Sequence, residues 1–397
     1  MTQGHESREL GGADPLDAQL GLPRQSLLER AGLGGLLPLL RTRAALGLRP
    51  ALAPAVVILP AGFLLGPQAL GVISFETLGY LDTVVTVALA VLGVFVGIAF
   101  GPHLRTARRL IAASSVEALA TLAMVAAALA FLLAGAPLPG VSAAPGAVCL
   151  GIAAAASAAG AGPEDDAGAR TASLVADLDD VVPILLSGMV LMMTGGSGPS
   201  SELRSIVAAP AIGLAIGAAG WLLFERAEST AERGALLLGS LALLGGAPAY
   251  LAASPIVAGF TAGLFWTLAP GRADRVVADD LRKMQHPLVV LLLVTAGAMC
   301  VPSLAVLWLV GPYVLFRIAG KLAGGWLAAR VSGLSRTIPS FGVHLIPPGV
   351  IGVAFALGFM QILPADIGAL VMTTVALGSI LCELAALYVI PAGVQER

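Results

Sequence analysis

The chain has 397 residues and a formal net charge of −2, and it is 57% hydrophobic but only 12% charged. Soluble domains are about 25% charged, so this chain has too few polar side chains to coat a globule in water. The composition excludes an ordinary soluble domain and predicts a membrane protein, and the slightly negative charge argues against a nucleic-acid partner.

The N-terminal segment, residues 1–49, is polar and carries both signs of charge. It lacks the basic start and early apolar run of a signal peptide. We expect a cytoplasmic tail, with an amphipathic helix over residues 25–48 lying on the membrane surface. Residues 392–397 are predicted to form a second, short cytoplasmic tail.

Twelve apolar segments follow the N-terminal tail, and most approach the roughly 20 residues that a helix needs to cross a bilayer. They are A 51–73, B 82–100, C 110–135, D 143–162, E 171–194, F 203–224, G 234–252, H 254–270, I 287–302, J 304–329, K 338–361 and L 366–391. The sequence thus predicts an all-α polytopic membrane domain of about twelve helices over residues 50–391.

The distribution of Lys and Arg gives this helix count a second support, because positive residues stay on the cytoplasmic side. With a cytoplasmic N-terminus, 19 of the 22 Lys and Arg residues fall on that side. Arg204 falls outside, and Arg317 and Lys321 lie within J. If the predicted count were wrong by one helix in the middle of the chain, every later loop would lie on the opposite side of the membrane, and this distribution would be lost. Both termini are therefore predicted to be cytoplasmic.

The triplets C–E and J–L run in opposite directions, as in the inverted repeats of secondary transporters. The middle segment of each triplet is weakly helical. D contains Gly160 and Gly162, and K contains Pro347, Pro348 and Gly349. Proline removes a backbone donor and clashes with the preceding turn, so we expect interrupted helices whose freed backbone groups line a cavity. A simple kink is the alternative.

Segment E carries acidic residues at mid-membrane, where each charge costs about 2.5–3.5 kcal/mol. Asp179 and Asp180 are adjacent and therefore about 100° apart around the helix. One is expected to face a cavity while the other turns toward a neighbouring helix. Asp177, one turn before Asp180, lies on the cytoplasmic side, either in an access funnel or in solvent.

Paired carboxylates suit ion exchange. Their oxygens replace water around a small hard cation, and desolvation raises the pKa of a carboxylate until a proton competes. Cation and proton then exclude each other, which together with alternating access is sufficient for antiport. A structural polar knot between helices is the alternative interpretation of these acids.

Segment J carries the basic residues Arg317 and Lys321. A buried guanidinium needs a carboxylate nearby, so Arg317 is predicted to pair with Asp179 or Asp180, or else to be a fixed structural cation. Lys321, one turn nearer the cytoplasm, is a second candidate partner, unless it reaches the interface along its aliphatic chain.

Besides Asp177, and Ser157 in D, three other polar residues in the apolar segments are possible accessories. Glu117 in C either contacts the site or bonds a neighbouring backbone group. Glu383 in L is a candidate partner of Lys321. His344, just before the K break, is either an interior histidine or a proton relay.

Four motifs occur in order along the chain: 60–67 (PAGFLLGP), 176–181 (ADLDDV), 254–264 (SPIVAGFTAGL) and 317–321 (RIAGK). Together, over residues 51–391, they resemble the monovalent cation:proton antiporter superfamily, which includes bacterial sodium/proton antiporters.

The resemblance implies that Asp180 is the main cation- and proton-binding residue and that Asp179 is paired with a basic residue. The sequence also departs from the family pattern. D offers only Ser157 at its break, K has Pro348 where many relatives have a basic or polar residue, and Asp177 is extra.

The resemblance further implies a homodimer in a bacterial inner membrane. Its dimerisation domain would comprise residues 51–100 and 203–302, and its mobile core residues 110–194 and 304–391. The core would be built around crossed, unwound helices D and K and would move like an elevator.

We therefore expect a secondary transporter without cofactors, and not an enzyme, since no nucleophile and base are grouped with recognisable spacing. It would exchange a monovalent cation, Na⁺ or Li⁺ in preference, for protons. Potassium/proton exchange is one alternative. A cation channel, or a non-transporting membrane partner that kept the fold, is an alternative of another class.

Overall fold

The computed structural model describes residues 54–106, 108–135, 143–158, 175–176, 178–194, 199–270, 273–332 and 341–392. Within these ranges lie twelve α-helices longer than a single turn, and no strand. They are α1 Pro54–Leu65, α2 Phe75–Phe100, α3 Arg108–Gly135, α4 Ala143–Ala155, α5 Val181–Thr194, α6 Pro199–Arg226, α7 Thr230–Tyr250, α8 Pro255–Leu268, α9 Ala273–Ala298, α10 Leu304–Ser332, α11 Val350–Met360 and α12 Ala365–Ala392. A short turn of helix, His103–Thr106, precedes α3, and a 3-10 turn, Phe341–Leu345, precedes α11.

The twelve helices correspond one to one with segments A to L, so the predicted all-α architecture is confirmed. Among the described residues, five helices are long and apolar enough to cross a bilayer, namely α2, α3, α6, α10 and α12. Shorter apolar helices lie in α1, α4, α5, α8 and α11. Large apolar side chains face outward, with Trp308 81% and Phe131 80% exposed. Such a surface suits lipid rather than water, and the chain is a multi-pass membrane protein.

Several helix boundaries differ clearly from prediction, and α2, for example, begins at Phe75 rather than at residue 82. Helix α9 begins at Ala273, not at residue 287, because its first turns are polar and hydropathy does not detect them. Ion pairs at i,i+3, such as Lys283 Nζ to Asp280 Oδ1 at 2.8 Å, support these turns. Helix α1 ends at Leu65 rather than at residue 73, and the chain then turns through Gly71, whose φ is +66°.

Small residues allow the helices to cross closely. Gly93 and Gly97 of α2 lie directly against the backbone of α8, and Gly259 and Gly263 of α8 lie against that of α2. A Cβ atom at any of these positions would overlap a backbone atom of the other helix. Close backbone approach of this kind drives helix association where lipid, not water, is the solvent.

The helices pack in two groups. Helices α2, α6, α7 and α8 pack on one another, and so do α3, α4, α10, α11 and α12. Helix α5 contacts members of both groups, and α1 packs mainly on α9. The predicted division into a dimerisation domain and a mobile core stays a prediction.

The end of α4 meets the break that precedes α11. Helix α4 ends at Ala155 and continues as non-helical chain, while non-helical residues 346–349 separate the 3-10 turn from α11. The Ala158 N–H donates to the Pro347 carbonyl at 3.0 Å. The predicted interruption of K is confirmed. Gly160 and Gly162 of segment D lie outside the described residues, as do Asp177 and the N-terminal tail.

Candidate functional site

A cluster of ionisable side chains lies beside the break of α4. Its members come from α3, from the turn that leads into α5, and from α10, and each is at most 4% exposed: Glu117, Asp179, Asp180, Arg317 and Lys321. Burial of so many charges is costly unless they are paired and hydrogen-bonded, so the contacts of each group matter.

Lys321 is the centre of the cluster. Its Nζ lies 3.1 Å from Glu117 Oε1 and 3.2 Å from Asp179 Oδ2. The same ammonium donates to Ser157 Oγ at 2.8 Å and to the Ala155 carbonyl. Lys321 therefore does not reach the membrane interface. It is a fully buried ion-pair partner that joins three helices.

The glycines of α10 bring Lys321 against α3. A Cβ atom at Gly320 would lie 3.0 Å from Thr121 Cα, and one at Gly324 would lie 2.9 Å from the Glu117 carbonyl oxygen. Thr121, one turn after Glu117, donates its hydroxyl to Glu117 Oε1 at 2.8 Å. Close helix contact and this local hydrogen bond fix the carboxylate of Glu117 opposite the ammonium.

Arg317 binds the end of α4 instead of an aspartate. Its guanidinium donates to the Ala156 carbonyl at 2.9 Å and to the Ala154 carbonyl. The last carbonyls of a helix have no intrahelical donor, and inside a bilayer water does not supply one. The prediction that Arg317 pairs with Asp179 or Asp180 is therefore corrected: the ion pair to Asp179 is made by Lys321.

Asp179 and Asp180 occupy the turn that leads into α5. Oδ2 of Asp179 accepts from Ser157 Oγ and from Lys321, and its Oδ1 is buried without a hydrogen-bond partner among the described residues. The backbone carbonyl of Asp180 accepts from Ile184 N–H at 3.0 Å and so starts the helix. One carboxylate oxygen of Asp179 is thus left to accept an ion or a proton.

Glu383 has a partner that was not predicted. Its Oε2 accepts from the Val56 N–H at 3.2 Å, in the first turn of α1, where backbone donors lack intrahelical acceptors. The predicted pair with Lys321 is wrong, because Glu117 and Asp179 take that ammonium.

His344 lies half-buried in the 3-10 turn that precedes the break of α11. Pro347 and Gly349 are buried in that break, and Pro348 is half-buried. Among the described residues, no group of three or more His, Cys, Asp or Glu side chains is placed to hold a metal ion.

Sequence reasoning missed two parts of the cluster. Thr121 carries a detectable signal, because it follows Glu117 by four residues and therefore shares its helix face. The carbonyls of residues 154–156 carry none, because their availability depends on where α4 ends. Ser157 is predicted as a possible accessory residue, and the structure shows that it bridges Lys321 and Asp179.

No protein-family model matches the sequence, and no curated protein sequence matches it either. A solved structure does match: the sodium proton antiporter MjNhaP1 from Methanocaldococcus jannaschii at pH 8. The two chains are 18% identical, with a TM-score of 0.59, and the match covers 90% of this chain and 99% of that one. This chain therefore has the fold of that antiporter.

Proposed function

We propose that this protein is a secondary transporter that exchanges a monovalent cation for protons, with Asp179 and Asp180 as the shared site. Na⁺ or Li⁺ is the favoured cation, ahead of K⁺. The observation that carries the proposal is a pair of adjacent, buried aspartates beside the contact between the end of α4 and the break that precedes α11.

The chemistry of the aspartates supports exchange. A carboxylate in a dry site holds either a small cation or a proton, and occupation by one excludes the other. Lys321 and Ser157 donate to one oxygen of Asp179, and the other oxygen has no hydrogen-bond partner among the residues that the structure describes. Exchange of ions makes and breaks no covalent bond, so neither an enzyme nucleophile nor a cofactor is needed.

The arrangement of helices supports alternating access. A cavity of about 280 Å³ lies between α2 and the α7–α8 turn on one side and α5 and α11 on the other. Ser187, which lines this cavity, follows Asp180 by seven residues and so lies about two turns further along the same helix face. We propose that this cavity is part of an ion path between a mobile core and a scaffold.

The homodimer and the inner-membrane location are also proposals, and they rest on the family resemblance. Chemical crosslinking of the protein in native membranes, with the mass of the product compared with that of the single chain, tests the dimer. A product of twice the chain mass is expected.

The proposed function is tested by reconstitution into liposomes that contain a pH-sensitive dye. Adding Na⁺ or Li⁺ against a preset proton gradient should change the dye signal, and Asp180→Asn should abolish the response because a neutral amide binds no proton. Asp366→Asn, at an exposed aspartate of α12, should retain it.

Each alternative has its own outcome in the same assay. A response to K⁺ at lower concentration than to Na⁺ would favour potassium/proton exchange. Cation currents without proton movement would indicate a channel. No response to any cation, with folded protein in the liposomes, would favour a non-transporting partner. Exchange by Asp180→Asn at the wild-type rate would refute the assigned site.

A further inference from the structure

The Lys321 ammonium has more acceptors than it has protons. It carries three N–H donors. Around it are four acceptor groups, namely the carboxylates of Glu117 and Asp179, the hydroxyl of Ser157 and the carbonyl of Ala155. One acceptor is therefore always surplus, and Lys321 can lose one partner without leaving a donor unsatisfied.

The surroundings make Asp179 the partner that is free to leave. Glu117 is fixed to Thr121 by a hydrogen bond of 2.8 Å within α3. Ala155 lies between the two carbonyls that Arg317 holds, so this segment of backbone is restrained independently of Lys321. Asp179 sits at the start of a different helix, and the Ser157 hydroxyl, not only Lys321, holds its Oδ2. Its Oδ1 has no hydrogen-bond partner among the described residues, so Asp179 can bind a cation and keep the Ser157 bond when the ammonium withdraws.

We propose that Glu117 is a positioning residue that shares Lys321 with Asp179 and thereby sets the apparent cation affinity of the exchanger. The proposal rests on the proposed function. When a cation binds Asp179, the ammonium keeps Glu117, Ser157 and Ala155 as partners and stays paired. Displacement of Lys321 from Asp179 is therefore easier than it would be with a single carboxylate in the site.

Removal of the charge of Glu117 should make Asp179 the only carboxylate that attracts the ammonium. Attraction between unit charges about 3 Å apart is strong in a buried site, so a cation would then compete less well. In Glu117→Gln we expect the KM for the cation to rise roughly tenfold while the maximal exchange rate changes much less. A role in folding alone would lower the amount of active protein and leave KM unchanged.

The test is the dye assay at a series of Na⁺ concentrations on the wild type, Glu117→Gln and Glu117→Asp. The aspartate variant keeps the charge and should restore most of the affinity. Glu76→Gln, at an exposed acid in the first turn of α2, is the matched control and should leave KM unchanged. An unchanged KM in Glu117→Gln, or an equal rise in Glu117→Asp, would overturn the proposal.

A binding measurement tells whether Glu117 acts on cation affinity through Lys321 or only through its own negative charge. Sodium-induced thermal stabilisation in detergent reports affinity without turnover. Glu117→Gln should weaken it in the wild-type background but not in the Lys321→Gln background, where no ammonium competes with the cation for Asp179. A persisting effect in that background would overturn the proposal. If the wild type exchanges no cation, the proposed function fails instead.

If Glu117→Gln does not fold, Thr121→Val gives the decisive result. It keeps the carboxylate but removes the hydrogen bond that fixes it, so KM should rise by a smaller factor, about twofold to threefold. An unchanged KM in Thr121→Val, together with wild-type affinity in Glu117→Asp, would then count against the positioning role.

Discussion

At the end of α4, one guanidinium donates to two backbone carbonyls. Arg317 is 1% exposed, and its guanidinium donates to the carbonyls of Ala154 and Ala156. A planar fork of donors suits two neighbouring acceptors, whereas an ammonium acts as a point charge. We therefore expect Arg317 to have a structural role at this site and Lys321 the electrostatic one.

Arg317→Ala should destabilise the protein by about 3 kcal/mol, because it leaves buried carbonyls without donors. Arg330→Ala is the control on the same helix. Its guanidinium lies 3.7 Å over the ring of Trp326 at an exposed position, where such a contact contributes about 0.5–1 kcal/mol. Thermal unfolding in detergent measures both, and equal losses would show that the carbonyl contacts of Arg317 contribute no special stability.

The partners of the two basic residues of α10 could not be predicted from the sequence. The spacing of Arg317 and Lys321 shows that they share one face of α10, but not which acceptor each would meet. The sequence predicts that Arg317 pairs with Asp179 or Asp180, because Arg317 lies at the middle of segment J. The structure reverses the assignment, because Lys321 lies level with Glu117 and Asp179.

At the scale of elements, the contact between the two breaks positions Ser157. Gly349 is the N-cap residue of α11, and a Cβ atom there would lie 3.0 Å from the Ser157 carbonyl oxygen. Ser157 in turn bonds Asp179 and Lys321. A side chain at position 349 would therefore displace a residue of the cluster.

Gly349→Ala should lower the exchange rate roughly tenfold, since a displacement well below 1 Å at a binding residue is sufficient to disturb an ion site. Gly311→Ala on α10 is the matched control, because no atom lies within 4 Å of the Cβ it would introduce. Exchange by the two variants is compared in the dye assay. A wild-type rate in Gly349→Ala would show that the breaks do not need to touch so closely.

Most elements were predictable, and the exceptions have physical reasons. Hydropathy and the Lys and Arg distribution gave twelve helices, and Pro347-Pro348-Gly349 marked the break before α11. The early start of α9 was missed because its first turns are charged and stabilised by local ion pairs, not by lipid. The capping of α1 by Glu383 was missed because it joins residues 327 positions apart.

For the whole molecule, a polar contact links the two groups of helices. Gln361, at the C-terminal end of α11, donates its side-chain amide to Asp82 Oδ1 at 3.1 Å and to Thr86 Oγ1 at 3.3 Å on α2. Gln361 also lines the cavity between the groups. If α11 moves with a mobile core during transport, this contact must break in every cycle.

A covalent bond at this position should therefore stop exchange. The variant is Thr86→Cys with Gln361→Cys, in a background where the buried thiols of Cys149, Cys300 and Cys382 are replaced by alanine. Oxidation to a disulfide, or reaction with a short bifunctional reagent, should reduce exchange at least tenfold, because it ties α11 to α2. Reduction of the disulfide should restore it.

The control places the same bond within one group of helices. Trp221 of α6 and Phe265 of α8 have ring centroids 6.5 Å apart, and cysteines at these positions join helices that would stay together. Crosslinking there should leave exchange intact. Arrest by both crosslinks would indicate that any added bond stops transport. If exchange continues after α2 and α11 are crosslinked, these two helices do not separate during transport. The boundary between the moving and the fixed helices would then lie elsewhere.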